Sequence, residues 1–194
     1  MSIKILFVIA LSLTITASAG PRLSLFGDIA LGIPIGDMAD DDLDTGYSTV
    51  PVFRGGLAFR PFSPVLMEFG AAYVLRSAAK TGIDEGEASW QGTNFFAGAG
   101  IILDMGLLMP HLTGGVSYFR VSRYDAEEDP DDENFRRAKK VSVREPGFYI
   151  DLGLQYFLYE HLAVGGGLRY DHVFTAGKPA RIFDIHGGVD YYLF

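Results

Sequence analysis

Six charged side chains stand at mid-strand positions of alternating segments: Asp28, Arg54, Glu68, Asp151, Arg169 and Asp171. Charges of both signs on one face call for pairing, because an isolated charge removed from water is costly. Counting residues up from each predicted turn puts Asp28, Arg54, Asp151 and Arg169 at similar heights, which predicts an interior layer of salt bridges. By parity Asp184, His186 and Asp190 join the same set. Residues so placed hold a structure together. They are predicted to form a polar plug, and no catalytic residue is assigned.

Other candidates for chemistry are weaker. Asp40-Asp41-Asp42-Leu43-Asp44-Thr45-Gly46 resembles a calcium loop in its carboxylates. Such a loop needs Gly at its sixth position and Glu at its twelfth. Here those positions are Thr45 and Pro51, so a solvated acidic loop is expected and no metal site is assigned. The four histidines form no constellation along the chain: His161 falls in a turn, His172 at a strand end, and His111 and His186 on inward positions. His111-Leu112-Thr113 is the one local pairing of a base with a hydroxyl, and its inward parity keeps it from a lipid substrate. Gly165-Gly166-Gly167 is followed by no helix or Lys, so it is not a phosphate loop. No cofactor is expected.

The elements that position these residues are strands. Apolar residues recur with period two from Arg22 to Ile35, from Phe53 to Arg60, from Val65 to Val74 and from about Thr93 to Leu103. The same alternation marks Leu108–Tyr118, Phe148–Leu158, Leu162–Asp171 and the final stretch from Ile182. The connections alternate long and short, with long ones at about 37–50, 77–92, 122–146 and 175–181. An up-and-down membrane barrel sorts its connections this way, with short periplasmic turns and long outer loops. The polar face is rich in Gly, 24 of which occur in the chain, and small residues suit the crowded bore of eight strands. The predicted fold is all-β, an eight-stranded antiparallel up-and-down transmembrane β-barrel. On its apolar face Tyr73, Tyr118, Phe148 and Tyr170 fall near the loop ends, and Phe59, Tyr156 and Tyr191 near the turn ends. Aromatic girdles of this kind mark the two membrane interfaces.

The segment Asp125 to Arg144 is acidic first and basic second. Like-charge blocks are ordinarily solvated, so it is read as a loop. Opposite blocks could also pair as a hairpin, and the basic half could meet lipopolysaccharide phosphates. At the N-terminus, Lys4, an apolar run from Ile5 and the small residues Ala17-Ser18-Ala19 make up a secretory signal peptide over 1–19, leaving 20–194 as the barrel domain. The chain has no Cys, so no disulfide holds the fold. Its net charge of −8 argues against nucleic acid as a partner.

The leader, the exit from the first strand at Leu31-Gly32-Ile33-Pro34-Ile35-Gly36-Asp37, the Gly-rich strands and the aromatic C-terminus resemble the OmpA/OmpX-type small outer-membrane β-barrels. The resemblance implies residence in the bacterial outer membrane among its lipids and lipopolysaccharide. It also implies insertion by the outer-membrane assembly machinery, which reads a last strand ending in Phe. Tyr192 and Phe194 are the residues of that signal. Parity turns both inward, and a bulge near Asp190 or Tyr191 would turn them to lipid. The expected role is non-enzymatic, through the outer loops and an extracellular ligand the sequence does not name. A narrow conduit or ligand-binding barrel of OmpW type is the alternative, and a lipid A-modifying enzyme a more distant one.

Overall fold

The chain closes into one barrel. The computed structural model describes residues 22–35, 49–78, 89–129, 132–174 and 180–193. Its strands are β1 (Arg22–Ile35), β2 (Val50–Arg60), β3 (Val65–Ala78), β4 (Ser89–Ile102), β5 (Leu108–Asp129), β6 (Asp132–Tyr159), β7 (Leu162–Val173) and β8 (Ala180–Tyr192). Each pairs antiparallel with its sequence neighbours, and β8 returns to β1. The expected eight-stranded up-and-down architecture is the one that forms. The leader, the acidic run at 40–46 and Phe194 lie outside the described residues.

Closure is staggered. Following the paired residues around the wall leads from Leu23 to Phe59, Met67, Ala99, Gly114, Ile150, Tyr170 and Phe183. The path re-enters β1 at Ile33, ten residues beyond its start. Such a stagger tilts the strands and sets the bore, which at eight strands is just wide enough for side chains to fill. Every residue on that path faces outward. The exterior is apolar over its middle: Leu25, Ile29, Phe69, Phe95, Val116, Ile150, Leu152, Leu168 and Val189 are all exposed. An apolar surface of this extent requires a partner, and a bilayer core matches a continuous belt around a closed sheet.

Two segments depart from the expected boundaries. Ser122–Pro146, read above as a loop, is paired strand for nearly its whole length. β5 and β6 continue as a two-stranded hairpin, and only residues 130 and 131 separate them. The register sets Asp125 opposite Lys139, Glu127 opposite Arg137 and Glu128 opposite Arg136. Opposite charges at cross-strand positions favour pairing, so a register that sets an acidic block against a basic one suits a hairpin. The connection read at 77–92 is also shorter, because β3 runs to Ala78 and β4 starts at Ser89, with a register shift between Val74 and Ser77.

Inside, rings lie over glycines on adjoining strands. A side chain on Gly56 would strike the Phe26 ring, one on Gly70 the Phe96 ring, one on Gly153 the His111 ring and one on Gly167 the His186 ring. The inward glycines are thus the space into which the large interior side chains fold. Gly187 is on the outward face, and a methyl added there would come no nearer than 3.6 Å to its closest neighbour, Gly165 O. Gly70→Ala would set its methyl 2.8 Å from Gly55 O and 2.5 Å from Phe96 Cζ. We expect Gly70→Ala to destabilise the barrel by about 1–3 kcal/mol, the usual cost of overpacking. Gly187→Ala should be close to neutral. Denaturant midpoints of the two variants refolded into vesicles check the contrast.

Candidate functional site: the polar layer of the bore

The interior is ordered along the barrel axis. Near the loop end Ala30, Val50, Val52, Ala72, Val74 and Ile182 form an apolar cluster with Phe96 and Tyr149. Near the turn end Ala58, Leu66, Ile102, Met109, Ala163 and Tyr192 form a second. The charged residues lie between the two, as strand order requires. Along β2 the inward sequence is Val50, Val52, Arg54, Gly56, Ala58; along β8 it is Ile182, Asp184, His186, Gly188, Asp190, Tyr192.

Arg54 is the centre of the layer. It is 6 % exposed, and its Nε donates to Asp28 Oδ1 at 2.7 Å. Its Nη1 stands 3.6 Å from Asp184 Oδ2 and 3.9 Å from Asp151 Oδ2. The register places Arg54 directly opposite Asp28, so the first of these pairs is set by strand pairing alone. The other two cross the bore from β6 and β8. A single guanidinium thus faces carboxyls from three strands, hydrogen-bonded to one through Nε and at ion-pair distance from the other two through Nη1.

Arg169 has a different partner from the one its register suggests. Asp151 and Asp184 are its neighbours on the flanking strands. Its hydrogen bonds go instead to Asp171 on its own strand, Nε to Oδ2 at 2.8 Å and Nη2 to Oδ1 at 3.0 Å. The bidentate pair is a strong geometry. The guanidinium carbon sits 3.9 Å from the centroid of the Tyr149 ring and 4.4 Å from that of Phe96. A cation over aromatic faces is held electrostatically as well as by packing. These two rings carry Arg169 into the loop-end apolar cluster.

The histidines correct the sequence reading. Two of the four meet at one carboxylate: His186 Nε2 lies 3.3 Å from Asp151 Oδ1, and His111 Nε2 lies 3.8 Å from the same atom. The physical reason is a register run from His111 through Gly153 and Gly167 to His186. The two glycines between the rings let both lean over Asp151. Spacing along the chain carries no sign of this, since it needs three inter-strand registers at once.

The remaining predicted residues are also inward. Glu68 accepts from Thr113 Oγ1 at 3.0 Å. Asp190 is buried and, with Asp28, Glu68, His111 and Gln155, lines a cavity of about 70 Å³ below Arg54. Carboxyls outnumber guanidiniums in this layer. Tyr192 turns inward too: β8 runs without a register shift, and Tyr192 Oη donates to Gln155 Oε1 at 2.8 Å while its ring packs on Phe157. At the turn rim Arg60 reaches Asp104 at 3.4 Å. Thr113, Gln155 and Tyr149 were legible as inward by parity; Phe96 and Arg60 carried no signal for their roles. Among the described residues no three of the His, Asp and Glu side chains are arranged to hold a metal ion.

Outside, Tyr73, Tyr118, Tyr156 and Tyr191 are exposed, and Phe59, Phe148 and Tyr170 are half-buried on the same outward face. Phe148 stacks on His172 at 5.0 Å, and Tyr170 Oη lies 3.2 Å from His172 Nδ1. Phe148, Tyr170, His172 and Phe174 therefore form a continuous aromatic patch at the loop ends of β6 and β7.

No family model matches the chain, and no curated protein matches its sequence. The fold is shared with solved barrels. It resembles Neisserial surface protein A with a TM-score of 0.65 at 13 % identity, over 89 % of this chain and 99 % of that one. It resembles Ail of Yersinia pestis, solved with the heparin analogue sucrose octasulfate, with a TM-score of 0.57 at 11 % identity, over 90 % and 100 %. A major outer membrane protein of Thermus thermophilus superposes with a TM-score of 0.57 at 15 % identity, over 90 % and 100 %. The fold is that of small outer-membrane barrels.

Removing Arg54 leaves Asp28, Asp151 and Asp184 facing one another. We expect Arg54→Met to cost about 3–5 kcal/mol, the penalty of an uncompensated buried charge. Asp28→Asn in the same background should recover part of that loss. Unfolding of the single and double variants in one cycle measures the coupling.

Proposed function

We propose that the protein is a non-enzymatic barrel of the bacterial outer membrane that works at its outer surface, through the β5–β6 hairpin and the loop-end connections. The observation carrying this reading is the order of the bore, a charged layer held between two apolar clusters. Side chains that pair with one another and pack above and below crowd the bore, and that crowding favours a closed barrel over a conduit. Among the described residues the hairpin is the longest stretch beyond the belt, and it rises on the side away from the short turns at 61–64 and 103–107.

The same order argues against an enzyme. Asp151 with His111, His186 and neighbouring Thr113 is a set of groups that could act on an ester. It is enclosed by the wall and by both apolar clusters, whereas a lipid substrate lies outside the wall. The residues fit a structural task, holding the strands in register around a crowded bore.

In this reading the leader at 1–19 exports the chain, and 20–194 is the mature barrel. The outer-membrane assembly machinery inserts it, with Phe194 as the terminal part of the recognised strand and Tyr192 as an internal anchor. Its surroundings are the outer-membrane lipids, with lipopolysaccharide on the outer side.

Planar-bilayer recordings test the central claim. The purified barrel should give no stable solute conductance; reproducible single-channel steps would favour a conduit instead. Deletion of Phe194 should lower the fraction of protein assembled in the membrane while leaving the assembled fraction heat-modifiable on a gel. An unchanged assembled fraction would remove Phe194 from that role.

A further inference from the structure

The wall sets which residues of β5 and β6 face outward at the foot of the hairpin. On β5 Val116 and Tyr118 are exposed and Ser117 and Phe119 are buried. Arg120 on β5 and Arg144 on β6 keep the outward parity at the next step, in a chain whose net charge is −8.

Arg120 and Arg144 are directly opposite each other, and both side chains are exposed. Like charges at a cross-strand position repel. Their outward neighbours are Thr93, Tyr118 and Pro146, none of them acidic. Arg120 sits two residues beyond Tyr118, about 7 Å farther along the tilted strand at about 3.3 Å per residue. Tyr118 and the other loop-end aromatics mark the membrane interface. The arginines therefore stand at headgroup height and face sideways over the lipid, which distinguishes them from charges at the hairpin tip.

We propose that the outward face of the β5–β6 hairpin, at Arg120 and Arg144, binds phosphate groups of glycolipid headgroups in the outer leaflet. A phosphate between two guanidiniums relieves their repulsion and accepts bidentate hydrogen bonds from each. The position beside the belt favours a lipid-borne phosphate over a soluble polyanion, which would meet the tip first. The proposal deepens the surface role given above and rests on it.

The test uses the folded barrel in phosphatidylcholine vesicles, with and without lipid A, and with lipid A stripped of its phosphates. Lipid A should raise the unfolding midpoint of the parent protein, and the stripped lipid should not. The Arg120→Gln/Arg144→Gln double variant should lose most of that shift, with affinity falling roughly fivefold per arginine, the worth of one basic residue at an anionic surface. In phosphatidylcholine alone the double variant should be as stable as the parent or more so, because a repulsion has been removed. Arg144→Lys should keep part of the shift. Equal shifts for parent and double variant, or equal effects of intact and stripped lipid A, would overturn the proposal. A larger shift from soluble sucrose octasulfate than from lipid A would also overturn it, assigning the face to a soluble polyanion. Conductance by the barrel would overturn the surface role without touching these shifts, so the two failures are distinguishable.

Discussion

Eight strands closed in lipid leave no freedom about what fills the bore. Every backbone group must be paired within the wall, since a bilayer core offers it no partner. The stagger of ten residues then sets the internal diameter, and the side chains must match it. The chain meets this constraint by pairing rings with glycines across strands. Phe26 lies over Gly56, Phe96 over Gly70, and the two inner histidines over Gly153 and Gly167. The large interior groups have fixed places because their neighbours have no side chains. The charged layer depends on this packing: Arg169 rests on Phe96 and Tyr149, and Asp151 receives both imidazoles over the glycine pair.

Burying so many charges is a doubtful source of stability, since desolvation offsets much of the attraction. What the layer offers is registry. The pairs of Arg54 with Asp28, Asp151 and Asp184, and of the histidines with Asp151, can form only when the strands are correctly offset, and a slip of one residue would turn every charge to lipid. Arg54 joins β1, β6 and β8 to β2, so it reports on most of the wall at once. The polar set is better understood as a lock on strand order than as glue.

Much of this was legible in the residues. Period-two alternation located all eight strands, because one face of each meets lipid and the other meets a packed interior. Parity alone put Asp28, Arg54, Asp151, Arg169 and Asp184 inside. Two things were not legible. Above the membrane both faces of a strand meet water, so the alternation of apolar residues fades. The hairpin from Val121 to Val143 then looks like a loop until its acidic and basic blocks are set in register. Partner choice inside the bore was also hidden. Whether Arg169 takes Asp151, Asp184 or Asp171 depends on the aromatic rings that steer its side chain, and the meeting of His111 with His186 depends on two glycines far from either in sequence.

β6 runs unbroken for 28 residues, about 90 Å of extended chain. Its upper half is one side of the hairpin; its lower half carries Tyr149, Asp151 and Gln155 into the bore. The outer hairpin and the packed bore are thus successive stretches of one strand, with no turn or linker between them. Whatever engages the exterior at β6 is covalently continuous, through a single run of backbone, with the residues that lock the interior.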